Sequence, residues 1–270
     1  MPELPEVETV VRSLRPNLVG RKIVGVRNSW RRHIDRPTYS ELSRRIQGRT
    51  VTAVSRRGKF LLFPLDNKET LIIHLRMSGH LAVTDPQSPA DNHTHTVFEL
   101  DDGKELRFRD TRKFGRVYLV KAQDDILGKL GPEPLSEEFT VQALAKIMHG
   151  KRRVLKPFLL DQTMIAGIGN IYADEALFYA SLLPIRKTDT LDGQDIQKLH
   201  EGIQHVLRLG IQREGASIST YLKPDGEKGN MQEDVKVFRR TGEPCFKCGS
   251  PIQRIVLGGR STHFCGNCQK

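Results

Sequence analysis

The sequence predicts an α+β fold: an amino-terminal β-sandwich or barrel flanked by helices, then a helical region, then a small cysteine-bearing module. Three observations carry this. Seven short β-prone runs fill residues 22–120 with no long helical pattern between them, which favours an antiparallel sandwich or barrel. Beyond residue 136 the apolar residues recur at helical spacing. All four cysteines fall within residues 245–268, so they cannot staple the bulk of the chain and form a local site.

In chain order, the first element is a short helix. Val7, Val10, Val11 and Leu14 share one face, Pro5 stands near its start and Pro16 is expected to close it. The β-prone runs are KIVGV, TVTAV, KFLLFPL, TLIIHLRM, HTVFEL, ELRFRD and RVYLV, and Asp102-Gly103 is a hairpin signal between HTVFEL and ELRFRD. The stretch GKLGPEPLS, residues 128–136, concentrates Gly and Pro and reads as a linker. After it, Val141, Leu144, Ile147 and Met148 form a stripe ended by Gly150, and Ile196, Leu199, Ile203, Val206 and Leu207 form another behind the capping candidate Asp192. Between these stripes, a tight Gly-containing turn feeds a helix at about Asn170. ASISTYLKPDGEKGNMQED, following Gly215, has no period and reads as a long loop of the functional or mobile kind.

The chain of 270 residues carries 43 Lys plus Arg against 32 Asp plus Glu, a net charge of +11. A surplus of that size attracts polyanions. No apolar run approaches the ~18 residues that a membrane helix needs. The start, MPELPEVETVVRSLRP, has early acids and no apolar core, so neither a secretory signal nor a transit peptide is expected, and the expected location is the cytoplasm.

Cys245-x2-Cys248 and Cys265-x2-Cys268 each place two thiolates on one knuckle, and four thiolates fill the tetrahedral shell of a structural zinc. A redox dithiol or two disulfides is the alternative; one CxxC would suffice for the first, and a reducing cytosol opposes the second. Between the pairs, IQRIVLGGRSTHF reads as two strands around Gly258-Gly259 with Arg260 at the hairpin tip. There Arg260 can enter a nucleic-acid groove or simply stay solvated. Basic residues cluster in SRRGK, RFRDTRKFGR and KRRVLK. One such run is ordinarily a solvated face, but three in both halves of the chain fit a surface that tracks phosphates. Phe114 beside Arg112 suits a wedge between bases as well as it suits a core. The turn GIGN offers free amides at a helix start, a weak anion-site signal.

The amino terminus is the least ordinary feature. Removal of Met1 would expose the secondary amine of Pro2. An α-amine titrates near pH 7.7 to 8.0, so part of it is the free nucleophile at neutral pH. Its attack on an aldehydic sugar carbon gives a cationic iminium, and Glu3 and Glu6 supply candidate acid and base groups. The plain alternative is a Pro-started helix with carboxylates favoured by its dipole.

MPELPEVE, RRGK at 56–59, HLRMSG at 74–79, RDTRKFG at 109–115, LLDQTMIAGIGNIYADEALF at 159–178 and the terminal GGRSTHFCGNCQ closely resemble bacterial formamidopyrimidine-DNA glycosylase. The motifs run in order along the whole chain. The related endonuclease VIII typically has Gly where this sequence has Leu4, and Met77, Arg112 and Phe114 also resemble the oxidised-purine branch.

The resemblance implies a helix-two-turn-helix element and a β-hairpin zinc finger with one structural Zn2+ on Cys245, Cys248, Cys265 and Cys268. It implies domains at 1–130 (catalytic sandwich), 137–234 (helical, with a lesion-capping loop at 217–234) and 235–270 (zinc finger), joined at a linker, 131–136. The implied activity is excision of oxidised purines from duplex DNA through a Schiff base at Pro2, then strand cleavage by β,δ-elimination, in a monomeric base-excision-repair enzyme of the bacterial cytoplasm and nucleoid. Glu3 would protonate the sugar ring oxygen and Glu6 organise the pocket. Lys59 would serve phosphate contact and β-elimination, and Arg260 δ-elimination. Met77, Arg112 and Phe114 would fill the gap left by the everted base, with Arg112 facing the orphaned cytosine. His93, Arg153 and Asn170 match phosphate-contacting positions, and Lys156 and His74 are placed with them. An oxidised-pyrimidine glycosylase and a non-catalytic zinc-containing DNA-binding protein are the alternatives.

Overall fold

A computed structural model describes residues 1–218 and 221–270. Residues 219 and 220, within the expected capping loop, lie outside the described residues. The chain divides into two compact units, Met1–Lys129 with Glu214–Asn230, and Leu130–Arg213 with Met231–Lys270.

The first unit opens with helix α1, Leu4–Leu18, which buries Val7, Val10, Val11, Leu14 and Leu18. Pro16 lies inside this helix and does not close it. Proline removes one i→i−4 bond, which a helix tolerates so near its end; the Val19 amide still reaches the Arg15 carbonyl at 3.2 Å. There follow β1 (Lys22–Asn28), β2 (Ile34–Arg36), α2 (Tyr39–Ile46), β3 (Arg49–Thr50), β4 (Ser55–Arg57), β5 (Phe60–Pro64) and β6 (Thr70–His74). Then come β7 (Gly79–Thr84), β8 (Thr94–Leu100), β9 (Glu105–Asp110), β10 (Arg116–Val120) and the short helix α3 (Asp124–Leu127).

The strands form two five-stranded sheets, β3-β1-β8-β9-β7 and β2-β10-β6-β5-β4. All pairs are antiparallel except β10 with β2. Leu61, Phe63, Leu71 and Ile73 of one sheet and Ile23, Phe98, Leu100 and Phe108 of the other join the helix α1 face in a single buried core. β8 and β9 meet across the expected turn, where Gly103 has φ +80°.

Three strands left no sequence signal: β2, β4 and β7. Each is an edge strand whose residues are mostly half-buried or exposed, so none alternates. TVTAV, conversely, is strand only at Thr50, with a bridge from Val51 to Leu65. Val54 is buried, and its carbonyl accepts from Arg15 Nε at 3.1 Å instead of from a strand neighbour.

The segment Glu214–Asn230 groups with the sandwich, which corrects the expectation that the whole 217–234 loop belongs to the helical part. Tyr221 is the reason, since its ring sits in the sandwich core.

The second unit contains α4 (Val141–Met148), α5 (Leu155–Leu160), α6 (Asn170–Tyr179) and α7 (Gly193–Gln212). Thr140 caps α4, and Asp192 caps α7 with a reciprocal capping box to Asp195. Helix α6 is buried on nearly every side, and α7 approaches it closely: a Cβ on Gly210 would lie 2.5 Å from the Tyr172 ring. The unit ends in the hairpin β11 (Gln253–Leu257) and β12 (Arg260–Phe264), turned by Gly258 and Gly259 at φ +55° and +72°.

Candidate active site and nucleic-acid interface

In the first unit Pro2, Glu3 and Glu6 are all buried. The two oxygens of Glu6 serve different segments. Oε2 accepts the Glu3 amide at 2.7 Å, and Oε1 accepts the Ala216 amide at 2.8 Å. One carboxylate thus fixes the entry into helix α1 and ties it to a residue 210 positions away.

The segment beginning at Glu214 is held at several further points. His80 Nε2 meets the Lys223 carbonyl at 2.9 Å, and the Gly229 amide donates to Ser217 Oγ at 3.0 Å. Lys223 Nζ bonds Glu227 at 3.0 Å and Glu214 at 3.1 Å, which raises the ammonium pKa. Gly229 is pressed so close that a Cβ there would lie 2.3 Å from the Gly215 carbonyl.

Lys59 is buried at the turn between β4 and β5. His74 pairs with Phe60 across the sheet, their rings edge to face at 4.4 Å. Burial, then the charges of Arg76 and Lys59, push its pKa down to about 3, so the imidazole is neutral at pH 7. Its Nδ1 accepts the Arg76 amide at 2.9 Å.

Met77, Arg112 and Phe114 lie on two turns, 75–78 and 111–115. Phe114 is 46% exposed, although it is large and apolar, and the Arg112 guanidinium stands 4.9 Å from its ring centroid. Both turns carry a non-glycine residue in the left-handed region, Arg76 at φ +54° and Lys113 at +60°, a strain that persists only where surrounding contacts impose it. The contacts come from Asp110, which is fully buried. Its Oδ1 accepts from Ser78 Oγ at 2.5 Å and the Arg112 amide at 3.3 Å. Its Oδ2 accepts from the Gly115 amide at 2.7 Å and faces His33 Nε2 at 3.5 Å. Burial alone would raise the Asp110 pKa, but these partners reverse it and hold the carboxyl well below its ordinary range.

The basic runs divide by the partners of their side chains. Arg56 pairs with Glu8 at 2.9 Å, Arg109 with Asp91 at 2.5 Å, and Arg107 is buried on Glu105 and the Ser88 carbonyl. Arg112 and Lys113 have no acidic partner among the described residues; Lys113 Nζ lies 4.5 Å from the Trp30 ring centroid. His93 is exposed, and its carbonyl accepts the Asp110 amide at 2.8 Å.

In the second unit, Arg153 is half-buried and bonds Asp161 at 2.8 Å. Asn170 opens α6, with its Nδ2 on the Ser261 carbonyl at 3.2 Å. Lys156 departs from expectation. It is fully buried, with its ammonium 2.6 Å from Asp174 and 2.7 Å from the Ser261 carbonyl, so it cannot reach a phosphate in this conformation. Instead it joins α5, α6 and β12. Asp174 also accepts the His263 amide at 3.0 Å, while its neighbour Glu175 accepts the amides of Lys236, Val237 and Phe238 at 2.8 to 2.9 Å. Asp174 thus anchors the hairpin that displays Arg260, which is exposed at its tip, and Glu175 anchors the segment that leads toward it. Sequence reading missed both, and Asp110 as well. Each is an acid inside a regular element, where a solvated carboxylate looks the same.

The four sulfurs converge within 4.8 Å of one another. Cys245 and Cys268 are 3.9 Å apart and Cys248 and Cys265 3.5 Å, against the ~3.8 Å edge of a tetrahedron with Zn–S of ~2.3 Å. Hydrogen bonds from Ser250 and Asn267 pull the Cys248 thiol toward thiolate. The donor set fits one structural zinc, with no position left for a substrate.

Family models match in three stretches: the formamidopyrimidine-DNA glycosylase N-terminal domain over residues 1–117, its H2TH domain over 130–222, and a zinc finger found in FPG and IleRS over 242–270. A formamidopyrimidine-DNA glycosylase of Herpetosiphon aurantiacus is 47% identical over 272 residues, all of both chains. The chain belongs to the formamidopyrimidine-DNA glycosylase family. A further family member, from Geobacillus kaustophilus, is 44% identical over the full length of both chains. Among solved members of the glycosylase family, a Lactococcus lactis protein in complex with Fapy-dG-containing DNA superposes with a TM-score of 0.93 at 38% identity, covering all of both chains. The same species' protein with abasic-site DNA gives 0.92 at 38%, covering 99% of each. The Thermus thermophilus member gives 0.90 at 39%, covering 99% of this chain and 98% of that one. The chain is therefore a DNA glycosylase with a zinc finger, and no helix among its described residues is long and apolar enough to cross a membrane.

Proposed function

We propose that this glycosylase excises oxidised purines, 8-oxoguanine and formamidopyrimidines, from duplex DNA and then cleaves the strand at the abasic site, in the bacterial cytoplasm on nucleoid DNA. The observation that carries the reading is the Glu6 carboxylate. It fixes both the Glu3 amide beside Pro2 and the Ala216 amide at the start of the capping segment, so that nucleophile, acid and cap are tied to one group. Relatives in complex with Fapy-dG and abasic-site DNA support the substrate class.

With Met1 removed, the Pro2 nitrogen attacks C1′. Glu3 delivers a proton to the ring oxygen, the sugar opens, and the base leaves with the glycosidic electron pair. The cationic iminium acidifies C2′–H. Loss of that proton expels the 3′ phosphate by β-elimination, and proton loss at C4′ then expels the 5′ phosphate. Lys59 serves the first elimination and Arg260 the second. The neutral His74 donates to a phosphate without a proton change near pH 7. His93, Arg153 and Asn170 hold further phosphates; Met77 and Phe114 fill the vacated stack, and Arg112 faces the orphaned cytosine. When bound, the zinc holds the finger folded and so keeps Arg260 in place.

Borohydride reduction on a panel of duplexes tests this. The expected result is a covalent protein–DNA adduct with 8-oxoguanine opposite cytosine and little with thymine glycol. The reverse ranking would assign the oxidised-pyrimidine branch, and no adduct on any lesion would leave only a DNA-binding role.

A further inference from the structure

We propose that Asp110 is a positioning residue for opposite-base recognition: it sets where the Arg112 side chain stands without itself touching DNA. This rests on the reading of Arg112 as the group that faces the orphaned base. The supporting geometry is the convergence of three chain segments on one fully buried carboxylate. Ser78 comes from the turn that carries Met77, the Arg112 and Gly115 amides bracket Phe114, and His33 comes from the segment before β2.

Arg112 is held through its backbone. Its amide is shared by Asp110 Oδ1 at 3.3 Å and Ser78 Oγ at 3.1 Å, so the carboxylate and the serine that it orients act together on the residue that reads the base. Asp110 also spans the strained positions, since Arg76 and Lys113 lie in the left-handed region on the two turns that it joins. The site has no slack on its other side. A Cβ on Gly115 would lie 2.4 Å from the Phe108 ring and 3.0 Å from His33 Nε2, so the turn cannot relax toward the sheet. Recognition of a base edge depends on ångström-level placement, and a turn released from Asp110 would keep the Arg112 charge but lose its aim.

Asparagine at this position is isosteric but has one acceptor oxygen, so at least one of the Ser78, Arg112, Gly115 and His33 contacts meets an amide hydrogen. The measurement is the ratio of kcat/KM for 8-oxoguanine excision opposite cytosine to that opposite adenine, on the full-length protein. A ratio taken within one preparation is independent of the folded fraction, so a merely structural loss lowers both duplexes and leaves it unchanged. Asp110→Asn is expected to compress the ratio roughly tenfold, Ser78→Ala to compress it less in the same direction, and Asp110→Asn to add nothing in an Arg112→Ala background. If Arg112→Ala compresses the ratio while Asp110→Asn and Ser78→Ala leave it intact, the proposal fails and the reading of Arg112 stands. If Arg112→Ala itself leaves the ratio intact, that reading fails and the proposal falls with it. Should Asp110→Asn not fold, Ser78→Ala decides by the same criterion.

Discussion

The Glu6 carboxylate and the Ala216 amide, 210 residues apart, are joined by a buried hydrogen bond of 2.8 Å. The other Glu6 oxygen holds the Glu3 amide, so one carboxylate fixes both the start of helix α1 and the start of the Glu214–Asn230 segment. An acid here serves geometry more than proton transfer, because both of its oxygens are occupied by backbone donors.

Glu6→Gln separates these roles. Its carbonyl oxygen can keep one amide, but its NH2 must oppose the other. Single-turnover excision is expected to fall by one to two orders of magnitude, while damaged-duplex binding survives and stability drops by about 1 kcal/mol through the loss of the helix cap. Single-turnover rates beside a urea titration check this.

Lys156→Ala is expected to destabilise the second unit by roughly 3 to 5 kcal/mol, since it leaves Asp174 buried without its ammonium partner. The salt dependence of DNA binding by the protein that remains folded should keep its slope. A slope reduced by about one would instead restore Lys156 to the phosphate contacts.

The Lys156 side chain also shows what a sequence conceals. KRRVLK reads as a basic surface, yet one of its lysines is sealed against Asp174, which lies 18 positions on in a helix. Buried ion pairs and buried carboxylate–amide bonds leave no periodicity, and so Asp110, Asp174 and Glu175 carry no signal in the sequence. Strands β2, β4 and β7 are illegible because their burial does not alternate: β2 buries one residue of three, β4 is half-buried throughout, and β7 buries two adjacent residues. What the sequence did carry was local: the CxxC spacing, the Asp192 cap, the Asp102-Gly103 turn and the PELPE start. Each depends on neighbours a few residues apart.

One zinc per chain is expected by metal analysis. Cys248→Ser should lose metal and DNA affinity together, because the finger that displays Arg260 does not fold without its fourth thiolate. Full affinity in metal-free protein would separate the finger from binding.

His74 titrates near 6.5 when unfolded and near 3 when folded, so the unfolded chain binds the extra proton between those values and stability falls as pH drops through that window. From pH 7 to pH 5 the loss due to this residue alone is about 2 kcal/mol. Urea titrations at the two pH values should therefore show a decline in the wild type that is smaller by that amount in His74→Gln. Equal declines would place a charged imidazole in the folded protein.

The Pro2 nitrogen is proposed to form the bond to C1′. The direct measurement is peptide mapping of the borohydride-reduced adduct with 8-oxoguanine duplex by mass spectrometry. A single crosslink is expected on the peptide that begins Pro2-Glu3-Leu4, with its α-nitrogen as the modified atom, and crosslinking in Pro2→Gly should be slow or absent. A crosslink on Lys59 or any other lysine, in protein whose Met1 has been removed, would contradict it.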